Sequence, residues 1–370
     1  MDFEVLFGDD LSLKSVFYGH LNKEVKFDDN LRLETFPHKF LKNYAKDPRK
    51  GFFSRVNPGI IADFMENTRT VVVIHGYETF TAWIALVAAK LLFRSVIFRG
   101  EAVLEGEPYR PGIPQKLKKI ILPIFFRLCD AVMYSCQGNK NYFKHFGVQE
   151  KKLFLLPCAV NNDDLLDRLS ILKGQRHNIR GRLGIRQDHL VVLFSARFTT
   201  RKRPFDLIEA VRLTGRTDIT ILFVGDGPEK KAMEERVKEC NINAVFTGFV
   251  GQEELAQYYY AADVNVVVSA KDPSPKALNE AMVFSLPIIV TDVVGTAFDL
   301  VKDNLNGFIV PVGDVSQIAE KIIYLSENPE ERKRMGEVSR DIVDYWTLDA
   351  GASGLLEAVK YVRRRQMPLN

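Results

Sequence analysis

Short, continuous apolar runs alternate with segments of helical periodicity along the second half of the chain. Residues 190–195 and 219–224 are six-residue runs broken only by Ser195 and Thr220, as expected of strands buried on both faces. Further strands are predicted at 244–247, 264–268, 287–291 and 307–311. Helices are predicted at 204–213, from Pro228 to about Cys240, at 253–262 and 276–284, and along the C-terminal stretch. Pro228 suits the first turn of its helix. Such β-α alternation predicts a parallel, doubly wound sheet, with every β-to-α loop on one edge. The first half repeats the theme less cleanly, with strands at 4–8, 69–75, 95–99, 131–135 and 152–157 and helices at 82–93 and 117–128. The polar, basic stretch 173–189 carries Gly174, Gly181 and Gly184 and reads as an interdomain linker. The expectation is an α/β protein of two Rossmann-like domains, 1–175 and 185–346, with residues 347–370 forming a helix that packs back on the first.

The totals agree with two domains, since 370 residues exceed the ~250–300 at which single cores stop growing. The net charge of +4 is unevenly spread: residues 1–180 hold 27 Lys and Arg against 20 Asp and Glu, residues 181–370 hold 24 against 27. A basic half suits an anionic membrane surface, an anionic substrate or nucleic acid, or is ordinary solvated charge. No recognised nucleic-acid module accompanies it, so no nucleic-acid partner is expected. Cys129, Cys136, Cys158 and Cys240 show no C-x-x-C spacing and no Cys/His cluster, so reduced thiols and no metal are expected. Met1-Asp2-Phe3-Glu4 is no signal peptide, and the longest apolar stretch, around Trp83 to Phe93, contains Lys90 and falls short of the ~20 residues that span a bilayer. A cytoplasmic protein is expected.

Two loops on the shared edge carry candidate chemistry. In Ser195-Ala196-Arg197-Phe198-Thr199-Thr200-Arg201-Lys202-Arg203-Pro204, four cations fall between positions 197 and 203, where a strand gives way to a helix. A helix N-terminus with Arg and Lys beside it suits a diphosphate; the plain alternative is a solvated basic loop. In Ser269-Ala270-Lys271-Asp272-Pro273-Ser274-Pro275-Lys276-Ala277-Leu278-Asn279-Glu280, two carboxylates flank a helix start. One would lie near a reacting centre and the other would accept hydrogen bonds from ribose hydroxyls, while the helix-start amides around Pro275, Lys276, Ala277 and Leu278 face a phosphate. Alternatively Asp272 is a turn residue and Glu280 a surface one.

Together these loops resemble the retaining glycosyltransferases of the two-domain GT-B fold, family 4 (glycosyl transferases group 1). Ala196-Arg197-Phe198 leading to Lys202 resembles the family's G-R-L-x-x-x-K-G, with Arg203 where the family usually has Gly. Asp272 and Glu280 match its E-x7-E acids, with Asp in the first place. Val224-Gly225-Asp226-Gly227-Pro228, Phe246-Thr247-Gly248-Phe249-Val250, Asp292-Val293-Val294-Gly295 and Asn306-Gly307-Phe308 fit further family segments in order. The resemblance implies that Arg197 and Lys202 grip the donor diphosphate, that Glu280 binds the donor ribose, that Asp272 lies near the sugar's anomeric carbon, and that Gly225, Thr247 and Gly248 border the donor nucleotide. It implies retention, a UDP- or GDP-sugar donor and no metal or other cofactor. A catalytically impaired nucleotide-sugar or glycan-binding protein is the alternative. A dinucleotide-dependent dehydrogenase lacks its G-x-G-x-x-G here.

The first half resembles a bacterial polysaccharide-type branch through Ile74-His75-Gly76-Tyr77, Phe98-Arg99-Gly100-Glu101 and Ser135-Cys136-Gln137-Gly138. Arg99, Glu101 and His75 become candidates for orienting donor or acceptor hydroxyls, His75 being as readily structural. The branch implies a glycan or lipid-linked acceptor in cell-surface polysaccharide or lipopolysaccharide synthesis at the inner face of the membrane. Relatives begin with a strand and a Gly-rich loop, whereas residue 1 falls close to the second strand, which implies about one βα unit fewer. In 116–128, apolar positions 117, 120, 121, 124, 125 and 128 recur at helical spacing behind Lys116, Lys118 and Lys119. That is either a membrane-surface helix giving peripheral contact or a core-facing helix with a solvated end, and Pro123 interrupts both.

Overall fold

The computed structural model describes residues 4–7, 16–18, 23–25, 35–48, 51–67, 71–104 and 115–366. Strands β1 (Val5–Phe7), β2 (Val16–Tyr18), β3 (Lys23–Val25) and β4 (His38–Phe40) lead to α1 (Gly59–Glu66), β5 (Val71–His75), α2 (Phe80–Leu91), β6 (Ser95–Arg99), α3 (Gln115–Leu128), β7 (Ala131–Tyr134), α4 (Gln137–His145) and β8 (Leu153–Leu155). Helices α5 (Asn162–Leu172) and α6 (Arg176–Arg182) connect to the second half. There β9 (Leu190–Ser195), α7 (Pro204–Thr214), β10 (Ile219–Val224), α8 (Lys230–Glu239), β11 (Asn243–Phe246), α9 (Gln252–Ala261), β12 (Val264–Val267), α10 (Lys276–Val283), β13 (Ile288–Thr291), α11 (Ala297–Leu300) and β14 (Gly307–Val310) alternate, before α12 (Val315–Glu327), α13 (Pro329–Val343) and α14 (Leu348–Gln366).

The second sheet runs β11-β10-β9-β12-β13-β14 with every neighbour parallel. Its strands alternate between two cores: Val191 and Leu193 face one, Leu190, Val192 and Phe194 the other. This two-sided burial is why the sequence reads as unbroken apolar runs rather than alternation. The strand order reverses between β9 and β12, so a crevice opens beyond their C-terminal ends, where open α/β sheets bind ligands.

The first sheet, β5-β6-β7-β8, is also parallel. Val96, Phe98 and Val132 face an aromatic core with Phe125, Phe126 and Phe143. The opposite face, Ile97, Ala131 and Met133, is covered by Ala358, Val359 and Val362 of α14. The last helix therefore returns to the first half and supplies the layer that a two-faced sheet requires. Strand β1 pairs in parallel with β4 in a separate two-stranded sheet.

Two stretches gain detail. The 173–189 stretch, read as the interdomain linker, carries a helix: α6 lies in it, with Ile179 and Arg180 buried. Arg176 and Arg180 both reach Asp263, at 2.6 and 2.7 Å, and that carboxylate also accepts the Val191 amide at 2.7 Å. Two of the basic residues of this stretch, Arg176 and Arg180, thus form a clamp on the second sheet. On α3, Leu122, Phe125 and Phe126 are buried, while Leu117, Ile120, Ile124 and Leu128 are exposed. The apolar stripe is thus split between core and surface, and Pro123 lies inside the helix. Lys116's side chain lies outside the described residues.

Candidate functional site

The crevice at the β9/β12 reversal holds a pocket of about 240 Å³ lined by Phe194, Ser195, Ala196, Lys202, Val266, Val267, Ser269, Pro275, Lys276, Ala277 and Glu280. Two loops build it, with the strands and helix they join. The first follows β9 and is held from behind: the amides of Ala196 and Phe198 donate to the carbonyls of Val224 and Asp226, at 3.1 and 2.9 Å. Gly225 makes this possible. At φ 134° a Cβ on it would lie 2.0 Å from the Ala196 carbonyl oxygen, and its amide donates to Gly248 at 3.1 Å. The Thr247 hydroxyl donates to the same Gly248 carbonyl at 2.9 Å. Gly225, Thr247 and Gly248 therefore brace the loop from outside the pocket lining.

Lys202 ends a 3₁₀ turn, Thr200–Lys202, and its ammonium donates to Asp272, whose side chain is almost wholly enclosed. The two motifs read separately in the sequence meet in this pair. Arg197 is exposed and does not line the pocket.

The second loop delivers the chain to α10. Its cap residue Pro275 has no side-chain acceptor, and a helix leaves its first N–H groups outside its own ladder. Leu278 is a correction: its side chain is fully buried in the core, and its amide already donates to Pro275 at 3.1 Å. The amides of Lys276 and Ala277 are the ones at the pocket wall. One turn on, Glu280 Oε2 accepts from the Tyr259 hydroxyl at 2.7 Å. Burial pushes the Glu280 carboxyl above the usual range, against the Tyr259 hydrogen bond and the Lys276 charge. Tyr259 is raised well above a normal phenol by burial and by Glu280.

On the facing half, the register His75↔Arg99 sets these two side by side at the ends of β5 and β6. Arg99 Nη1 donates to Glu101 Oε1 at 2.7 Å and lies 3.2 Å from His75 Nδ1. Desolvation, then the Arg99 charge, hold His75 below its ordinary value. Cys158 Sγ lies 4.0 Å from Glu101 Oε1, and burial, then Glu101, push its thiol up. The three candidates of the first half thus form one cluster. It reaches α10, because Asn279 Nδ2 donates to the Cys158 carbonyl at 2.9 Å.

Further ties join the halves beside the crevice. Gly138's amide donates to Gly295 at 3.2 Å, and a Cβ on Gly138 would sit 3.0 Å from Gly295 Cα. The amide of Gln137 at the start of α4 donates to Asp299 Oδ2 at 2.9 Å; burial raises that carboxyl to about 6. Tyr259, Asn279, Cys158 and Asp299 were given no role at the site from the sequence. Their types carry no spacing signal, and Tyr259 is one of three consecutive tyrosines.

Residues 175–341 match the family described as Glycosyl transferases group 1. The chain is 25% identical over 321 residues to a Campylobacter jejuni N-acetyl-D-galactosaminyltransferase named for an undecaprenol-linked acceptor, covering 85% of this chain and 79% of that one. It is 26% identical over 307 residues to the alpha-monoglucosyldiacylglycerol synthase of Acholeplasma laidlawii, covering 79% and 71%. Among solved structures, HepE of Anabaena in complex with UDP superposes with a TM-score of 0.74 at 18% identity, covering 97% of this chain and all of that one. A pocket at the sheet reversal, walled by a lysine, a helix start and a half-buried glutamate, fits these likenesses: residues 175–341 match the group 1 glycosyltransferases, and the chain is similar along most of its length to transferases of that kind and shares the two-domain GT-B fold.

Proposed function

We propose that this enzyme transfers a sugar, with retention, from a nucleoside diphosphate sugar to a glycan or lipid-linked acceptor in cell-surface polysaccharide synthesis. The observation that carries the reading is the convergence of Lys202, the α10 start and Glu280 on one pocket. The leaving nucleoside diphosphate gains negative charge as the glycosidic bond breaks. A fixed ammonium and preorganised amides at that spot stabilise the transition state more than the ground state. Lys202 and the amides of Lys276 and Ala277 take this role, and Glu280 takes the ribose. Arg197, on the rim, meets the diphosphate from outside. Asp272 holds Lys202 in place until the donor arrives and then faces the sugar. His75, Arg99 and Glu101 approach from the other half and orient the hydroxyls of acceptor and transferred sugar.

A uridine donor is favoured by the UDP complexes of HepE, with GDP-sugars as the second choice. A lipid-linked acceptor accords with the undecaprenol-linked substrate named for the Campylobacter relative. The exposed Leu117, Ile120 and Ile124 beside Lys118 and Lys119 would then meet the cytoplasmic membrane surface peripherally. No described helix is long and apolar enough to cross a membrane.

The test is a thermal-shift screen of UDP-, GDP- and ADP-sugars, since a bound donor stabilises by mass action, followed by turnover of Lys202→Gln. Gln keeps a hydrogen bond to Asp272, so that no buried carboxylate is orphaned, but removes the charge. Turnover should fall by roughly 100- to 1,000-fold, the loss typical of one charge-stabilising donor, with melting unchanged. Undiminished turnover refutes the assignment.

A further inference from the structure

The position of Glu280 in the pocket wall is set by a second, wholly buried side chain. Tyr259 has no solvent exposure. Its ring is stacked on Phe284, with centroids 5.6 Å apart and planes at 24°. A ring so fixed gives its hydroxyl one location, 2.7 Å from Glu280 Oε2, with the Ser195 hydroxyl also in reach. A glutamate projecting from a helix otherwise samples several rotamers, and each loses part of a ligand's hydrogen-bond energy when frozen on binding. Here the phenol satisfies one carboxylate oxygen, and the other is left for whatever enters the pocket.

We propose that Tyr259 is a positioning residue that makes Glu280 a single-oxygen acceptor for the 2′,3′-diol of the donor's ribose, so that this pocket selects ribonucleotides over nucleotides lacking that diol. The inference rests on the donor reading of the pocket given above. Tyr259 touches no substrate; it acts through the rotamer and ionisation of Glu280. The charged and titratable groups facing that carboxylate are Tyr259 from α9 and Lys276 from its own helix. Loss of the phenolic hydrogen bond removes one of the two influences opposing protonation.

The experiment is calorimetric titration of wild type, Tyr259→Phe, Glu280→Gln and the double variant with UDP and with 2′,3′-dideoxy-UDP. GDP and its dideoxy form replace them if GDP binds more tightly. Wild type should prefer the ribonucleotide about tenfold or more, the order that one net hydrogen bond to a charged acceptor contributes. Tyr259→Phe should shrink that preference at least threefold and leave dideoxynucleotide affinity unchanged. Glu280→Gln should bring it near one, and the double variant should be no worse than Glu280→Gln alone. In Tyr259→Phe the acid limb of UDP binding should move to higher pH. Glu280→Asp, whose shorter carboxylate cannot hold phenol and diol together, serves as a second variant and should lose the preference with Tyr259 intact. Equal losses for both nucleotides in Tyr259→Phe, or a wild-type preference in that variant, overturn the positioning role while the donor reading stands. If wild type does not discriminate, or Glu280→Gln discriminates like wild type, the ribose assignment fails and takes this inference with it.

Discussion

Arg203 sits in the left-handed region, at φ 50° and ψ 47°, immediately before Pro204. That conformation costs a residue with a Cβ about 1–2 kcal/mol, which accounts for the glycine usual at this position in the resembling family. It also turns the chain sharply between the Thr200–Lys202 turn and α7, and so presents Lys202 to Asp272. Arg203 offsets the strain with two hydrogen bonds to Asp206, at 2.6 and 3.0 Å, a bidentate pair of the stronger kind that is still partly solvated and worth about 0.5–1 kcal/mol. The balance predicts an order of stabilities. Arg203→Ala keeps the strain and loses the pair, so it should be about 1 kcal/mol less stable than wild type. Arg203→Gly loses the pair but relieves the strain, less the extra freedom of Gly in the unfolded chain, and should stay within about 0.5 kcal/mol of wild type. Urea midpoints of the two variants measure this, and an alanine variant at least as stable as the glycine one contradicts the strain argument.

Among the elements, α14 shows most clearly how packing overrides propensity. Gly354 lies in its interior, where an exposed Gly→Ala change would gain about 1 kcal/mol of helix propensity. Here a Cβ would lie 1.7 Å from the Leu155 carbonyl oxygen, so the helix can seat on β8 only with no side chain at that point. Gly354→Ala should therefore destabilise by about 2 kcal/mol, in the range of overpacked cores, as a lower denaturation midpoint; a higher one would mean that α14 does not seat this closely. The same distinction separates what was legible in the sequence from what was not. Strands β9 and β10 were read to the residue because both faces are buried and nothing interrupts the apolar run. Helix α10 was read to within one residue because Pro275 marks its start. Helices α1, α4 and α5 were not singled out, since α4, for instance, buries only Asn139, Tyr142 and Phe143 among polar neighbours. Helix α6 was hidden because an ion-pair clamp and a solvated linker have the same composition. In the site, Lys202, Asp272 and Glu280 could be placed because each sits at a fixed offset from a strand end. Their partners could not: which tyrosine of α9 meets Glu280 depends on how α9 and α10 cross, and no spacing along the chain records that.

At the scale of the whole molecule the two halves are joined by a carboxylate facing a helix start, Asp299 toward the Gln137 amide of α4. Two effects compete there. The helix N-terminus favours an ionised carboxylate by about 0.3–1 kcal/mol, whereas enclosure between the halves favours the neutral acid, and enclosure wins, placing the group at about 6. An unfolded Asp titrates near 4. Between about pH 4 and pH 6 the unfolded chain has released this proton and the folded chain still holds it, so rising pH favours unfolding across that window and has no further effect through this group above it. Asp299→Asn cannot titrate, yet its side-chain oxygen can still accept the Gln137 amide. Other carboxylates are common to both proteins and cancel in the difference. Relative to the variant, wild type should therefore lose about 1–2 kcal/mol between pH 4 and pH 7, less than the ~2.7 kcal/mol that two full units would give, because solvent still reaches the group. Urea titrations of both proteins at the two pH values give this difference directly. Parallel curves would mean that Asp299 is ionised throughout and that the positive end of α4, rather than enclosure, governs the junction of the two halves.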